Sequence, residues 1–306
     1  MKFLALDVGG TAVKSAIVDE LGNITEYRST PTTARAAEGY CQNAIAVAST
    51  YSGYDVATIS MTGQIDHKTQ TTLARNNGRA IERASFPVGR IISEALSLPT
   101  YVLNDANAAA LGEAVYGAGR EYRDFLCLTY GTGVGGGIIR DRRLLTGNRG
   151  IAGELGHLVT HAGGVRCRCG HRGCYEEYAS TTALLRRARK ILPDLNNAAE
   201  LFDRIPDTPQ LTRAVDRWLD EIVEGLVSLS YVFDPPCFIL GGGVMERAEL
   251  LDRITEKFRK RVIPSFNEIK IMKAELGNKA GMLGAVAFAR QCLADSDLTA
   301  ISNQKG

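Results

Sequence analysis

Four side chains able to bind a soft metal stand between residues 157 and 174: His157, Cys167, Cys169 and Cys174. Two carboxylates, Glu154 and Glu176, bracket them. Three thiolates and one imidazole make up the closed tetrahedral ligand set of structural zinc. Gly163, Gly164, Gly170 and Gly173 interrupt the segment, which therefore reads as a loop bent around something. A disulfide is the competing use of these cysteines, but with no secretion signal the thiols are expected to stay reduced and free for metal. His161 and His171 are rival ligands; only His157 is tied to a flanking glutamate at turn spacing.

A second group of residues suits phosphate. The apolar strand Phe3 to Leu6 runs into Asp7-Val8-Gly9-Gly10-Thr11, and Ala16 to Val18 resumes an apolar strand before the turn at Gly22-Asn23. Glycines in such a turn let backbone amides approach a phosphate closely, while Thr11 and Lys14 add a hydroxyl and a charge. Asp7, at the strand's end, is placed to hold Mg²⁺ through water. Taken alone the turn could be a tight hairpin with a polar tip. It is not a Walker loop, because no long helix follows.

The same design returns 122 positions later, where Phe125-Leu-Cys-Leu128 leads into Gly131-Thr132-Gly133 and Ile138-Ile139-Arg-Asp141 echoes Ala16-Ile17-Val-Asp19. Two such units argue for two related domains facing each other across a cleft. Gly131-x-Gly133-x-x-Gly136 satisfies a dinucleotide pattern, but that fingerprint requires a helix after the last glycine, and here Gly137-Ile-Ile-Arg-Asp continues as strand and turn.

Asn104 and Asp105 precede the alanine-rich helix Ala106 to Tyr116. Either could simply cap it. A carboxylate at a strand end facing a phosphate turn is also a candidate general base, accepting the proton of a hydroxyl as its oxygen attacks the γ-phosphorus of ATP. Further on, the buried strand Cys237 to Leu240 ends in Gly241-Gly242-Gly243, where a flat ligand such as adenine could lie against the backbone.

The elements that position these groups alternate. Ala36 to Tyr51 and Phe86 to Leu96 read as helices, Val56 to Met61 and Tyr101 to Leu103 as strands, which indicates an α/β sheet with crossover helices. Loops at 62–66 and 75–78 could offer amides and carboxamides, Gly63 and Asn77 among them, to a polyhydroxylated ligand, or be ordinary turns. Gly117-Ala118-Gly119 reads as a hinge. Thr181 to Leu192 and Trp218 to Leu229 are helical, the polar stretch Asp194 to Thr212 carries no legible chemistry, and a further helix starts near Glu246. Ala280 to Phe288 is a small-residue helix suited to close packing, followed after Asp295 by a polar tail expected to be loose.

Composition narrows the partners. A chain of 306 residues suggests two domains. Its formal charge of +2 offers little to nucleic acid or an anionic membrane, so clusters such as Lys257/Arg259/Lys260/Arg261 read as solvated faces. No apolar run approaches the roughly 20 residues of a membrane span. The expected location is the cytoplasm.

Gly153-Glu154-Leu-Gly-His157 followed by Cys-x-Cys-Gly-x-x-Gly-Cys-x-Glu resembles the signature of the ROK family, which groups sugar kinases with sugar-responsive repressors. Asn104-Asp-Ala-Asn-Ala-Ala109 matches the segment carrying that family's catalytic aspartate, and the phosphate turns and triple glycine follow in family order over nearly the whole chain. The resemblance implies an α/β, two-lobed actin-like ATPase fold, the ribonuclease H-like fold of hexokinase, actin and the heat-shock ATPases. It implies zinc on His157, Cys167, Cys169 and Cys174, and Asp105 as base. Sugar would meet Gly63, Asn77, Asn104, Asp105, Glu154, His157 and Glu176. ATP would meet Asp7, Gly9, Gly10, Thr11, Lys14, Gly131, Thr132, Gly133, Gly241, Gly242 and Gly243, with Mg²⁺ held by Asp7 through water. The expected lobes are 1–116, joined by a C-terminal helix 283–295, and 117–282 with the zinc loop 157–174, leaving 296–306 as tail. The expected activity is transfer of the γ-phosphoryl group to the 6-hydroxyl of an aldohexose or N-acetylhexosamine, glucose or N-acetylmannosamine foremost; fructose is disfavoured by the form of the cysteine loop. The alternative is a catalytically silent sugar-binding sensor without a DNA-binding domain, since family repressors carry a helix-turn-helix ahead of the Asp-x-Gly-Gly unit and here that unit begins near residue 3. The absence of proline around Arg75-Asn76-Asn77 departs from the glucokinase-like pattern and leaves the sugar open. Family habit suggests a homodimer.

Overall fold

The computed structural model describes residues 1–34, 36–76 and 81–303. Its first sheet comprises β1 (Lys2–Val8), β2 (Ala12–Asp19), β3 (Ile24–Pro31), β4 (Val56–Met61) and β8 (Thr100–Asn104) in the order β3-β2-β1-β4-β8. β1, β2 and β3 form an antiparallel meander, and β4 and β8 add in parallel to the other edge of β1. The apolar run of β1 and the burial of every residue of β4, Thr58 and Ser60 included, suit strands covered on both faces.

The second sheet repeats this plan. β9 (Phe125–Tyr130), β10 (Val134–Arg140) and β11 (Arg143–Leu144) form the meander, and β12 (Cys237–Gly241) and β13 (Lys270–Lys273) add in parallel, in the order β11-β10-β9-β12-β13. The sequence echo at a spacing of 122 is therefore an echo of topology, and in both copies the first hairpin turns through glycines, at Gly9-Gly10 and at Gly131–Gly133. β10 is a strand where the dinucleotide pattern would have needed a helix, in keeping with the rejection of that pattern.

Helices cover each sheet on two sides. α1 (Ala36–Ala48) and α2 (Val88–Leu96) pack with Leu4, Leu6, Ile59 and Val102 on one face of the first sheet. The last helix, α9 (Ala280–Asn303), sets Met282, Leu283 and Val286 against Phe3, Ala5 and Val56 on the other. It extends beyond the 283–295 span read from the sequence. α3 (Asp105–Tyr116) follows β8 in the chain but lies on the second sheet, its Ala108, Ala110 and Leu111 grouped with Phe125, Cys127 and Ile239. α3 and α9 cross at small residues: a methyl group at Gly284 would fall 1.6 Å from Ala108 O. The far face of the second sheet is covered by α4 (Glu176–Ala179), α5 (Thr181–Ala188), α6 (Ala198–Asp203), α7 (Gln210–Phe233) and α8 (Ala248–Arg261), around fully buried Trp218, Tyr175 and Phe258.

Three differences from the sequence reading have local causes. A small antiparallel sheet of β5 (Ile65–Asp66), β6 (Thr71–Asn76) and β7 (Ile81–Phe86) occupies the region read as loops, so Phe86 ends a strand and helix begins only at Val88, after Pro87. α7 starts at Gln210 rather than Trp218, because Leu211, Ala214 and Val215 already bury the same face. A single helical turn at Gly243–Glu246 precedes α8, which starts at Ala248.

Candidate active site

One cleft of about 760 Å³ is lined by the ends of β1, β8, β9 and β12 and by the start of α3. At the first glycine turn Asp7 Oδ1 accepts a hydrogen bond from Ser60 Oγ at 2.8 Å, while Asp7 Oδ2 lies 3.4 Å from Lys14 Nζ. Lys14 Nζ also donates to Asn278 Oδ1 at 3.1 Å, 264 residues away in the chain. Gly9, Gly10 and Lys14 line the cleft; Thr11 is exposed, outside its lining, with its carbonyl accepting from Thr32 N at 3.0 Å.

The second turn faces the first. Gly131, Thr132 and Gly133 line the cleft, and the start of α5 holds the turn from behind: Thr181 N donates to Gly131 O at 2.9 Å and Thr182 Oγ1 to Thr132 O at 2.7 Å. Gly241, Gly242 and Gly243 line the same cleft. Gly242 has φ +99°, and a methyl there would fall 2.2 Å from Tyr130 O, so glycine is what lets this loop lie against the second turn.

Asn104 and Asp105 open α3. The Asn104 side chain caps it, Oδ1 accepting from Ala106 N and Asn107 N at 3.0 Å each, while Nδ2 donates to Gly63 O at 2.9 Å and Asp105 Oδ1 at 3.1 Å. The capping alternative is thus realised by Asn104 and leaves Asp105 free to face the cleft, its Oδ1 also accepting from Ala106 N. Asp105 is reachable by solvent, yet protein walls surround it. The resulting desolvation, reinforced by the charges of Asp7 and Glu154, pushes its carboxyl up from 3.8 to about 6.

Glu154, His157 and Glu176 complete the wall. His157 turns Nε2 toward Glu154 Oε2 at 3.8 Å and Nδ1 toward the cysteines, 3.7 Å from Cys167 Sγ and 3.7 Å from Glu176 Oε1. Burial raises the Glu154 carboxyl, partly offset by His157 and a hydrogen bond from Gln64. Glu176 is positioned by its neighbour: the buried Tyr175 hydroxyl donates to Ile222 O and bonds Tyr130 OH, both at 2.8 Å, and Trp218 Nε1 donates to Ala179 O at 2.7 Å. A methyl on Gly133 would fall 2.5 Å from Glu176 Oε2, so the second glycine turn and this carboxylate lie against each other.

The ligand atoms of His157, Cys167, Cys169 and Cys174 all lie within 4.8 Å of one another, with Cys169 Sγ and Cys174 Sγ 3.5 Å apart. A tetrahedron with zinc–sulfur bonds of about 2.3 Å has edges of about 3.8 Å, so the set fits that ion. Burial pushes the Cys174 thiol up to about 11 and Cys167 higher still, which a divalent cation would reverse by displacing the protons. The rival histidines stand elsewhere: His161 stacks on Tyr178 with its Nε2 3.4 Å from Glu221, and His171 is exposed.

Asn77 lies outside the described residues. Gln64, Glu113, Glu246, Lys273 and Asn278 also line the cleft and are not singled out by sequence reasoning. Nothing local marks them, since each is an ordinary polar residue whose partners are set by packing.

The ROK family model matches residues 3–292. A glucokinase of Streptomyces coelicolor is 33% identical over 316 residues, covering 94% of this chain and 97% of its own. An N-acetylmannosamine kinase of Yersinia pseudotuberculosis is 33% identical over 297 residues, covering 95% and 99%. The crystal structure of a ROK glucokinase from Streptomyces griseus in complex with glucose and AMPPNP superimposes with a TM-score of 0.83 at 34% identity, covering 95% of this chain and all of that one.

Proposed function

The chain belongs to the ROK family, and from that premise we propose a finer reading of its activity as an ATP-dependent sugar kinase of actin-like fold: transfer of the γ-phosphoryl group to the 6-hydroxyl of an aldohexose or N-acetylhexosamine, glucose or N-acetylmannosamine foremost. One observation carries it. Asp105, two glycine turns, and Glu154, His157 and Glu176 open into a single cleft. Nucleotide and sugar could then meet with a carboxylate between them.

In this reading Asp105 accepts the proton of the attacking hydroxyl. Its carboxyl, at about 6, is ionised at neutral pH yet more basic than an ordinary aspartate, which suits a general base. Asn104 Nδ2 and Ala106 N hold Oδ1, leaving Oδ2 for the hydroxyl. Backbone amides of Gly9, Gly10 and Gly131–Gly133, with Lys14, receive the phosphates, and Gly241–Gly243 border the adenosine. Mg²⁺ held by Asp7 through water would neutralise charge on the phosphate oxygens. Glu154, Glu176 and His157 Nε2 accept or donate to the sugar's hydroxyls; zinc on His157 Nδ1 and the three thiolates would fix the imidazole for that task. The proposed lobes are 1–116 with the C-terminal helix and 117–282, with α3, which packs on the second sheet, at the junction between them. Their closure would exclude water, the competing acceptor.

The test is ADP release from Mg-ATP across a panel of hexoses and N-acetylhexosamines, with Asp105→Ala alongside. A sugar-dependent signal reduced about 10²- to 10⁴-fold in the variant is expected. Equal turnover in both would remove Asp105 as base, and silence on every sugar that binds would favour the sensor reading.

A further inference from the structure

Glu113 is a fully buried carboxylate on α3, two helical turns after Asp105. Its Oε2 accepts from Ala118 N at 2.9 Å and Glu275 N at 3.1 Å, and its Oε1 from Leu276 N at 2.9 Å. The donors lie on two connections far apart in the chain: 117–124, which leads from α3 to β9, and 274–279, which leads from β13 to α9. Gly117 is shaped around this group, since a methyl there would fall 2.1 Å from Glu113 Oε2. Leu276 leads directly into the turn whose Asn278 receives Lys14 Nζ, and Lys14 in turn contacts Asp7.

We propose that Glu113 is a positioning residue, clasping the helix that carries Asp105 to the loop that reaches the phosphate-binding lysine. This rests on the kinase reading above. The path from Asp105 along α3 to Glu113, through Leu276 and Asn278 to Lys14, fixes the span between base and phosphate. Three backbone amides from two separate segments converge on this one side chain, so the clasp is specific. A carboxylate can accept from three amides on two segments; a carboxamide offers one oxygen and turns a donor toward at least one of them.

The test is Glu113→Gln, nearly equal in volume, with Gly117→Ala as a second variant that displaces the carboxylate without removing its charge. Expected for both are a kcat about 10²-fold lower, as for an ångström-scale misplacement of reacting groups, a raised KM for ATP, sugar affinity by calorimetry within about threefold of wild type, and faster hydrogen exchange at the Leu276 amide. Wild-type kcat and ATP KM with only a lowered Tm would overturn the proposal and leave Glu113 a structural residue. Should the wild type phosphorylate no sugar, the kinase reading fails. The clasp is then judged on AMPPNP affinity, which must weaken in both variants and, if unchanged, refutes it.

Discussion

Lowering the pH tests Asp105 without altering a residue. Desolvation in the cleft, then the charges of Asp7 and Glu154, raise its carboxyl from 3.8 to about 6. A general base works only when ionised, so activity is present above that value and lost as the pH falls through it. At pH 5 about a tenth of such a carboxyl is ionised, against more than nine-tenths of one at 3.8. The expected result is a kcat/KM for the sugar that is level above about pH 7 and falls roughly tenfold by pH 5. It is read from initial rates of ADP release, with stability checked at each pH. The same shift has a consequence for folding with the opposite sign. The folded state disfavours this charge, so Asp105 destabilises the protein above about pH 6, and the effect fades as the pH drops toward 3.8. Asp105→Asn should therefore melt higher than wild type at pH 7.5, with the gap closing in acid, while its turnover is lost. A wild-type profile that stays level to pH 4.5, or an equal acid limb in Asp105→Asn, would refute the assignment.

Two further outcomes are expected. Elemental analysis should find one zinc per chain, and Cys174→Ser should lose both the metal and sugar binding, because metal binding in such sites contributes on the order of 10 kcal/mol to local folding; a metal-free protein with intact sugar affinity would contradict this. Tyr175→Phe should cost about 1–3 kcal/mol in urea denaturation by leaving Ile222 O and the Tyr130 hydroxyl without their buried partner, and wild-type stability would show that these groups find other partners.

The chemistry-bearing segments were legible because each is local. The glycine turns repeat a strand-turn-strand pattern, and the two five-stranded sheets repeat it in space. The metal set is a cluster within a short stretch, and only His157 of the three histidines nearby joins it. The sheet formed by β5, β6 and β7 has no local signature because its strands are short and polar, with threonines and arginines where an apolar alternation would signal a strand. Asn104 was legible as either cap or ligand, and only the folded arrangement spends its carboxamide oxygen on the cap.

By itself, then, the sequence determined which groups could bind phosphate, metal and a proton, since residue type and near-neighbour spacing decide that. Tertiary structure alone decided that α3 crosses to the second sheet, that Gly133 abuts Glu176, that Lys14 meets Asn278, and that Glu113 holds Leu276. These contacts join residues from 43 to 264 positions apart. Which distant groups meet is set by how whole sheets and helices pack, and no local pattern of side chains encodes it. The raised basicity of Asp105 belongs to the same class, because desolvation and the fields of Asp7 and Glu154 exist only once the cleft has formed.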